Sequence, residues 1–266
     1  MIDVVIEGIG LWAPALPGWE RGRAILRGDA EPESASATRP APALLAANER
    51  RRAPDSVLLA FAIAEQACAM AGREPSRLPA VFASAYGDLA INDYLCATLA
   101  QAPQDVSPTK FHNSVHNAPA GYWAIATGCM GSTTAISAGT ATFGAGLLEA
   151  ALFAHSEDTP VVFAVYDIAA SGPLADVIPS TSPFGAALVV APRRERPGAA
   201  LRLDVRAASE QPLAPRSTIL HASYHDNPAA AGLPLLTALA RDATQTITLP
   251  AGPRTSLKLE VSTWQN

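Results

Sequence analysis

The sequence predicts a layered α/β fold, with a sheet covered on both faces by helices. Through the first two thirds of the chain, short runs of Val, Ile, Phe and Ala alternate with segments of helical periodicity. The 266 residues are 49% hydrophobic and only 16% charged, enough apolar content for a sizeable core and too little charge for disorder. Gly8 and Gly10 on the first strand, and Gly139, Gly144 and Gly146 around a later helix start, fit tight turns and close packing of helix on sheet.

Residues 3–10 (DVVIEGIG) read as the first strand, ended by Pro14, Pro17 and Gly18. Residues 27–54 are rich in Ala, Pro, Ser and Arg without periodicity and read as a long surface loop, with one helical turn at 42–48. Asp55 or Ser56 is placed to cap a helix over 57–71, which Gly72 ends. A buried strand follows at 79–84. A helix over 92–99 places Ile91, Tyr94, Leu95 and Leu99 on its core side. Residues 106–114 form a loop leading to a helix over 118–126. Next come a strand at 133–138, a helix over 143–154 and a strand at 160–166. Residues 185–191 and 201–206 read as a hairpin-like pair joined by a charged turn. A helix over 233–241 and a strand at 256–261 close the chain, with 210–215 and 227–231 as loop.

Bulk properties exclude several function classes. The formal net charge is −5, and no basic stripe extends beyond Glu49-Arg50-Arg51-Arg52, so a nucleic-acid partner is not expected. Cys68, Cys96 and Cys129 are isolated, with neither CxxC spacing nor an even count, which fits a reduced, cytoplasmic setting. The amino terminus enters an apolar strand without a basic leader. No apolar run approaches the roughly 18 residues of a membrane span, so a soluble protein is expected. Many apolar residues with few charges suggest a large interface with another subunit.

Candidate chemistry is sparse. His112 and His116 are four apart, as are His221 and His225, a spacing that can share a metal on a helix. Neither pair has the Glu of HExxH or a carboxylate at ligand spacing, so hydrogen bonds to backbone or partner are expected and no metal or cofactor is assigned. The run 135–139 is one residue from the G-x-S-x-G nucleophile elbow, with Asp167 and then His221 or His225 in Ser-Asp-His order. The first glycine is missing, however, and Ser137 reads more simply as a small strand residue. Cys129 sits in the turn 127–131 with no basic neighbour, so a packed thiol is expected. The glycines lack the Gly-Lys-Ser/Thr ending of a phosphate loop. Thr140 is the most distinctive position. It falls where a strand, a tight turn and a helix succeed one another, the place where condensing enzymes expose a nucleophile.

Asn117, Ala120-Gly121, Ala124-Ile125, Gly128, Gly131, Ala135-Ile136-Ser137, Thr140-Ala141-Thr142 and Glu149-Ala150 follow one another at an ungapped spacing that resembles the N-terminal half of β-ketoacyl synthases. The opening strand 4–10 is also similar to that family's first strand. Phe111 to Trp123 (FHNSVHNAPAGYW) resembles the short chain length factors found with aryl polyene and xanthomonadin-type pigment clusters. The resemblance covers about residues 1–191. It implies a thiolase-like α/β/α half, truncated relative to a full ketosynthase, within one domain over 1–266 whose residues 192–266 diverge.

It also implies a lost catalyst. Thr140 stands where the family has its nucleophile cysteine, and a hydroxyl without an adjacent base is a poor acyl acceptor. The histidine and lysine motifs of the family's second half are absent after Ala191. What remains is a non-catalytic, chain-length-factor-like partner of a ketosynthase in type II fatty acid or polyketide biosynthesis, a heterodimer served by an acyl carrier protein. The resemblance implies that Thr133, Thr134, Ala135, Ile136, Ser137 and Ala138 form the interface strand. It implies that Phe111, His112 and Val115, flanked by Pro108, bound the acyl channel. Alternatives are a stand-alone acyl or carrier-protein binding protein, or a hydrolase using Ser137 or Cys129.

Overall fold

Two opposed faces of one sheet take up most of the apolar sequence. The computed structural model describes residues 1–32, 39–193, 197–208 and 219–265. In chain order its elements are β1 (Ile2–Trp12), α1 (Trp19–Arg27), α2 (Ala47–Arg52), α3 (Asp55–Ala71), β2 (Ala80–Ala83), α4 (Leu89–Gln101), α5 (Pro108–His112), α6 (Ala118–Thr127), β3 (Thr133–Ile136), α7 (Thr142–Ser156), β4 (Val161–Asp167), β5 (Phe184–Pro192), β6 (Gly198–Ala207), α8 (Ile219–Tyr224), α9 (Leu233–Arg241), β7 (Gln245–Gly252) and β8 (Thr255–Gln265). The eight strands form one sheet in the order β3-β2-β4-β5-β1-β6-β8-β7. β2 runs parallel to both β3 and β4, and the remaining pairings are antiparallel.

The two-residue period of each strand sorts its side chains between the faces. Ala80, Phe82, Val162, Ala164, Tyr166, Ala187 and Val189 meet α3 and Trp123 of α6. Val81, Ala83, Val161, Phe163, Val165, Ala186, Leu188 and Val190 meet α7 and the carboxy-terminal elements. Both faces being covered explains why these strands read as continuous apolar runs. Trp123, fully buried, anchors α6 through edge contacts to Phe61 at 5.1 Å and Phe82 at 6.0 Å. Such ring pairs add about 0.5–1.5 kcal/mol each beyond the area they bury.

Close approach accounts for the glycines. A Cβ on Gly8 or Gly10 would lie within about 2 Å of the Ala67 or Ile63 carbonyl oxygen of α3. Gly144 and Gly146 lie about 200° apart around α7. A Cβ on the first would meet the Pro250 carbonyl of β7, and on the second the Phe163 ring of β4. The sheet thus curls so that α7 is held between its centre and its far edge.

Several sequence expectations need correction. β5 and β6 do not form a hairpin: β1 lies between them, antiparallel to both, because its largely apolar course can be buried on both edges as well as both faces, with its buried Glu7 paired to Arg73. α1 and β7 add to the expected elements; both are short and interrupted by residues of poor local propensity (Gly22 and Pro250). The helical turn sits at α2, which overlaps the expected 42–48 only at residues 47 and 48. α3 has Pro54 as its N-cap, with no side-chain cap from Asp55 or Ser56; its Gly72 stop is left-handed as expected. The 106–114 loop contains α5. On α4 only Leu89 and Ile91 are buried, Tyr94 and Leu95 are half-buried, and Leu99 is exposed. Residues 228–232, expected as loose loop, form a largely buried 3-10 turn. The expected loop at 210–215 lies outside the described residues. No helix among the described residues is long and apolar enough to cross a membrane.

Candidate functional site

β3 ends the sheet, and all four of its residues are half-buried, paired on one side with β2 only. Ser137 and Ala138 lie beyond the strand, so the regular edge is Thr133, Thr134, Ala135 and Ile136. Beyond it Gly139, at φ +56°, turns the chain into a 3-10 segment (Gly139–Ala141) and then α7. Buried Thr142 stabilises this corner: its hydroxyl accepts from the Ala138 N–H at 3.0 Å and donates to the Gly139 carbonyl at 2.7 Å. Thr140 is exposed at the apex of the turn. Among the described residues no basic side chain hydrogen-bonds its hydroxyl, so nothing prepares it as a nucleophile.

Among the described residues Ser137 joins no triad. Its hydroxyl donates to the Ala85 carbonyl at 3.1 Å, while Asp167 is engaged elsewhere. The side chain of His221 lies outside the described residues, and His225 is exposed after α8. Cys129 is buried, its thiol donating to the Leu78 carbonyl at 3.3 Å and accepting from the Gly131 N–H. That is a packed thiol, as its sequence setting suggests. His112 and His116 diverge. The His112 ring lies near Tyr122 at the protein surface, and His116 Nε2 bonds the Ser84 carbonyl at 2.9 Å. Among the described residues no three His, Cys, Asp or Glu side chains converge on a metal position.

The segment before β3 exposes apolar surface. Among the described residues, five of the eleven exposed large apolar side chains fall between 99 and 130: Leu99, Phe111, Val115, Ile125 and Met130. Phe111 and Val115 are 64% and 51% exposed, which excludes their being core residues of this chain. Pro108 opens α5 and is likewise exposed. A groove of about 500 Å³ runs between α6 and the segment leading into α2. Leu44, Leu45, Glu49, His112, Val115, Tyr122 and Ile125 line it. The geometry brings His112 and Val115 to one groove, with Phe111 beside it on α5.

A polar centre built on Asp167, which the sequence offered only as the acid of a Ser-Asp-His order, lies at the carboxyl ends of β2, β3 and β4, where open α/β sheets place their functional crevices. Asp167 ends β4 with no solvent exposure. Its carboxylate accepts from the Ser84 hydroxyl at 2.7 Å, the Ala85 N–H at 3.0 Å and the Tyr86 N–H at 3.1 Å. Burial pushes its pKa up to about 6, offset by those hydrogen bonds and by His116 nearby. Asn227 Nδ2 donates to the Asp167 and Ser182 carbonyls, tying the carboxy-terminal part to the same centre. The Ser-Asp-His order drew attention to Asp167 for a role it does not play with Ser137; its position at a strand's carboxyl end is the signal that fits the centre.

A family model described as β-ketoacyl synthase, N-terminal domain, matches residues 26–251. No curated protein sequence matches the chain. Several solved structures share the fold. One is the ketosynthase ApeO in complex with its chain length factor ApeC from Xenorhabdus doucetiae, at 22% identity and TM-score 0.73, covering 98% of this chain and 100% of that chain. A second is the ishigamide ketosynthase/chain length factor, at 14% identity and TM-score 0.72, covering 98% and 100%. A third is AntDE:AntF, a type II PKS acyl-carrier protein in complex with its ketosynthase bound to the hexaketide. It shows 12% identity and TM-score 0.72, covering 97% and 99%.

Proposed function

The chain belongs to the β-ketoacyl synthase N-terminal domain family, with the thiolase-like fold of that family, and we propose that it is the non-catalytic, chain-length-factor-like partner of a type II β-ketoacyl synthase. In this reading it shapes the acyl channel across a heterodimer interface. The observation that carries the reading is the strand-turn-helix corner: its architecture is intact, yet Thr140 stands at its apex with no base beside it. A threonine hydroxyl is far less acidic than a thiol and cannot take an acyl group from a carrier thioester unaided.

The surface supports a partner. An unpaired strand edge is a template for pairing with another chain. Here the residues on that edge are small or β-branched and uncharged. The neighbouring apolar side chains, Phe111 and Ile125 above all, are what an interface core buries. Phe111, His112 and Val115, with Pro108 on the flank, are assigned to the channel end, where a bulky side chain stops chain growth sterically. An acyl carrier protein then serves the catalytic subunit, and the cytoplasm is the assigned setting. Structural neighbours that are themselves complexes of a ketosynthase with a chain length factor are in keeping with such a pairing.

The test is co-expression with the ketosynthase encoded beside it, followed by light scattering and product analysis. A one-to-one complex in which Phe111→Ala lengthens the products without abolishing synthesis supports the reading. A stable lone species that ignores the ketosynthase and retains acyl ligand overturns it in favour of a stand-alone binding protein.

A further inference from the structure

We propose that Asp167 is a positioning residue that sets the 111–115 segment through the 84–87 turn and His116. Its consequence for product length rests on the chain-length reading above; the mechanical coupling does not.

The turn after β2 is a junction of four parts of the fold. Asp167 at the end of β4 takes three donors from it, the Ser84 hydroxyl and the Ala85 and Tyr86 amides. Ser84 Oγ in turn accepts from the Gly87 N–H at 2.9 Å, closing the turn on itself. On the β3 side, Ser84 N–H donates to the Ile136 carbonyl, and the Ala85 carbonyl accepts from Ser137. On the α5–α6 side, the Ser84 carbonyl meets His116 Nε2 at 2.9 Å. Gly87 has φ +67° and lies against the His116 ring, close enough that a Cβ there would touch Cδ2 at 3.8 Å. His116 immediately follows Val115 and precedes Asn117, the N-cap of α6.

Beyond the local hydrogen bonds of α5 and the turn after it, the 111–115 segment has few contacts to hold it. Among its residues Phe111, His112 and Val115 are exposed, and only Asn113 is buried. A surface segment with so few buried contacts takes its position from the polar anchor at its end. That anchor is His116, and what fixes the acceptor of His116 is the turn that Asp167 grips. A carboxylate with three convergent donors defines one turn geometry. All three donors meet Oδ1; Asp167→Asn replaces Oδ2 by an N–H set against the Ala85 N–H that Oδ2 faces at 3.3 Å, and removes the charge that strengthens the bonds to Oδ1.

The experiment is amide hydrogen exchange on the full chain, comparing wild type, Asp167→Asn and His116→Ala, with β6 and β8 as internal reference. Asp167→Asn is expected to raise exchange about tenfold or more in both 84–87 and 111–117 while the reference strands hold. His116→Ala is expected to release 111–117 alone. Release of 84–87 with 111–117 unchanged overturns the coupling. If Asp167→Asn unfolds the reference strands, the milder Ser84→Ala is read by the same criteria. In complex with the ketosynthase, Asp167→Asn then broadens the product-length distribution, a readout that general loss of stability would not move. Coupled release with unchanged product lengths upholds the positioning role and sinks the chain-length reading instead.

Discussion

Thr140 and Asp167 are opposite cases at the scale of single residues. Thr140 is exposed, and among the described residues no basic side chain bonds its hydroxyl. Thr140→Ala is expected to leave condensation by the proposed heterodimer within about twofold, whereas loss of the proposed catalytic subunit's thiol abolishes it; turnover assays with carrier-bound substrate check both. Asp167 is buried at an energetic cost. Its pKa, raised from 3.8 to about 6, corresponds to ~3 kcal/mol of penalty on the ionised form. The sign follows from linkage. The folded state binds the proton more tightly than the unfolded chain, so the penalty is fully present above about pH 6 and is relieved as pH falls toward 3.8. Tyr86, Tyr166 and His116 are the titratable groups that face it. Chemical denaturation at two pH values spanning this window should show wild type gaining stability on acidification relative to Asp167→Asn. Parallel curves for the two proteins would show that Asp167 does not titrate there.

At the scale of elements, the β3 edge proposed for association and the packing of α7 are separable. Ile125 and Met130 are 86% and 96% exposed beside the β3 edge, so charging them costs this chain little. Ile125→Asp with Met130→Asp is expected to change unfolding free energy by no more than about 0.5 kcal/mol. The same double variant should weaken the heterodimer by about 2 kcal/mol or more, measured by titration of the ketosynthase. α7 is the converse. A methyl on Gly144 would collide with the Pro250 carbonyl, which is backbone and cannot rotate away. Gly144→Ala is therefore expected to lower stability by about 1–3 kcal/mol or more, visible as a reduced thermal midpoint, with the dimer contacts of folded protein unaffected.

At the scale of the molecule, the amino- and carboxy-terminal parts share one sheet. β1 carries β5 on one edge and β6 on the other, and α7 packs on β4 and β7 alike. A fragment of residues 1–191 therefore loses one edge of β1 and one cover of α7. It is expected to show no cooperative unfolding transition by circular dichroism.

Much of this architecture is legible in the sequence for local reasons. β4 and β2 are short apolar runs between turn residues, α3 has its Gly72 stop, and the Thr140 corner has its glycine, all within a few residues of sequence. What depends on long-range contact is not legible. The insertion of β1 between β5 and β6 is a pairing across nearly 200 residues, as between Ile2 and Leu203, and strand propensity carries no information about its partner. The exposure of Phe111 and Leu99 is hidden because an apolar side chain reads the same whether its cover is this chain or another. Asp167 becomes a centre only when β2, β3 and β4 are laid side by side. Neighbouring residues by themselves dictate most of the strands and helices, and they put a threonine rather than a cysteine at the strand-to-helix corner. Only folding settles which apolar faces remain open and which polar groups converge, because burial and hydrogen bonding depend on distances that the tertiary structure creates.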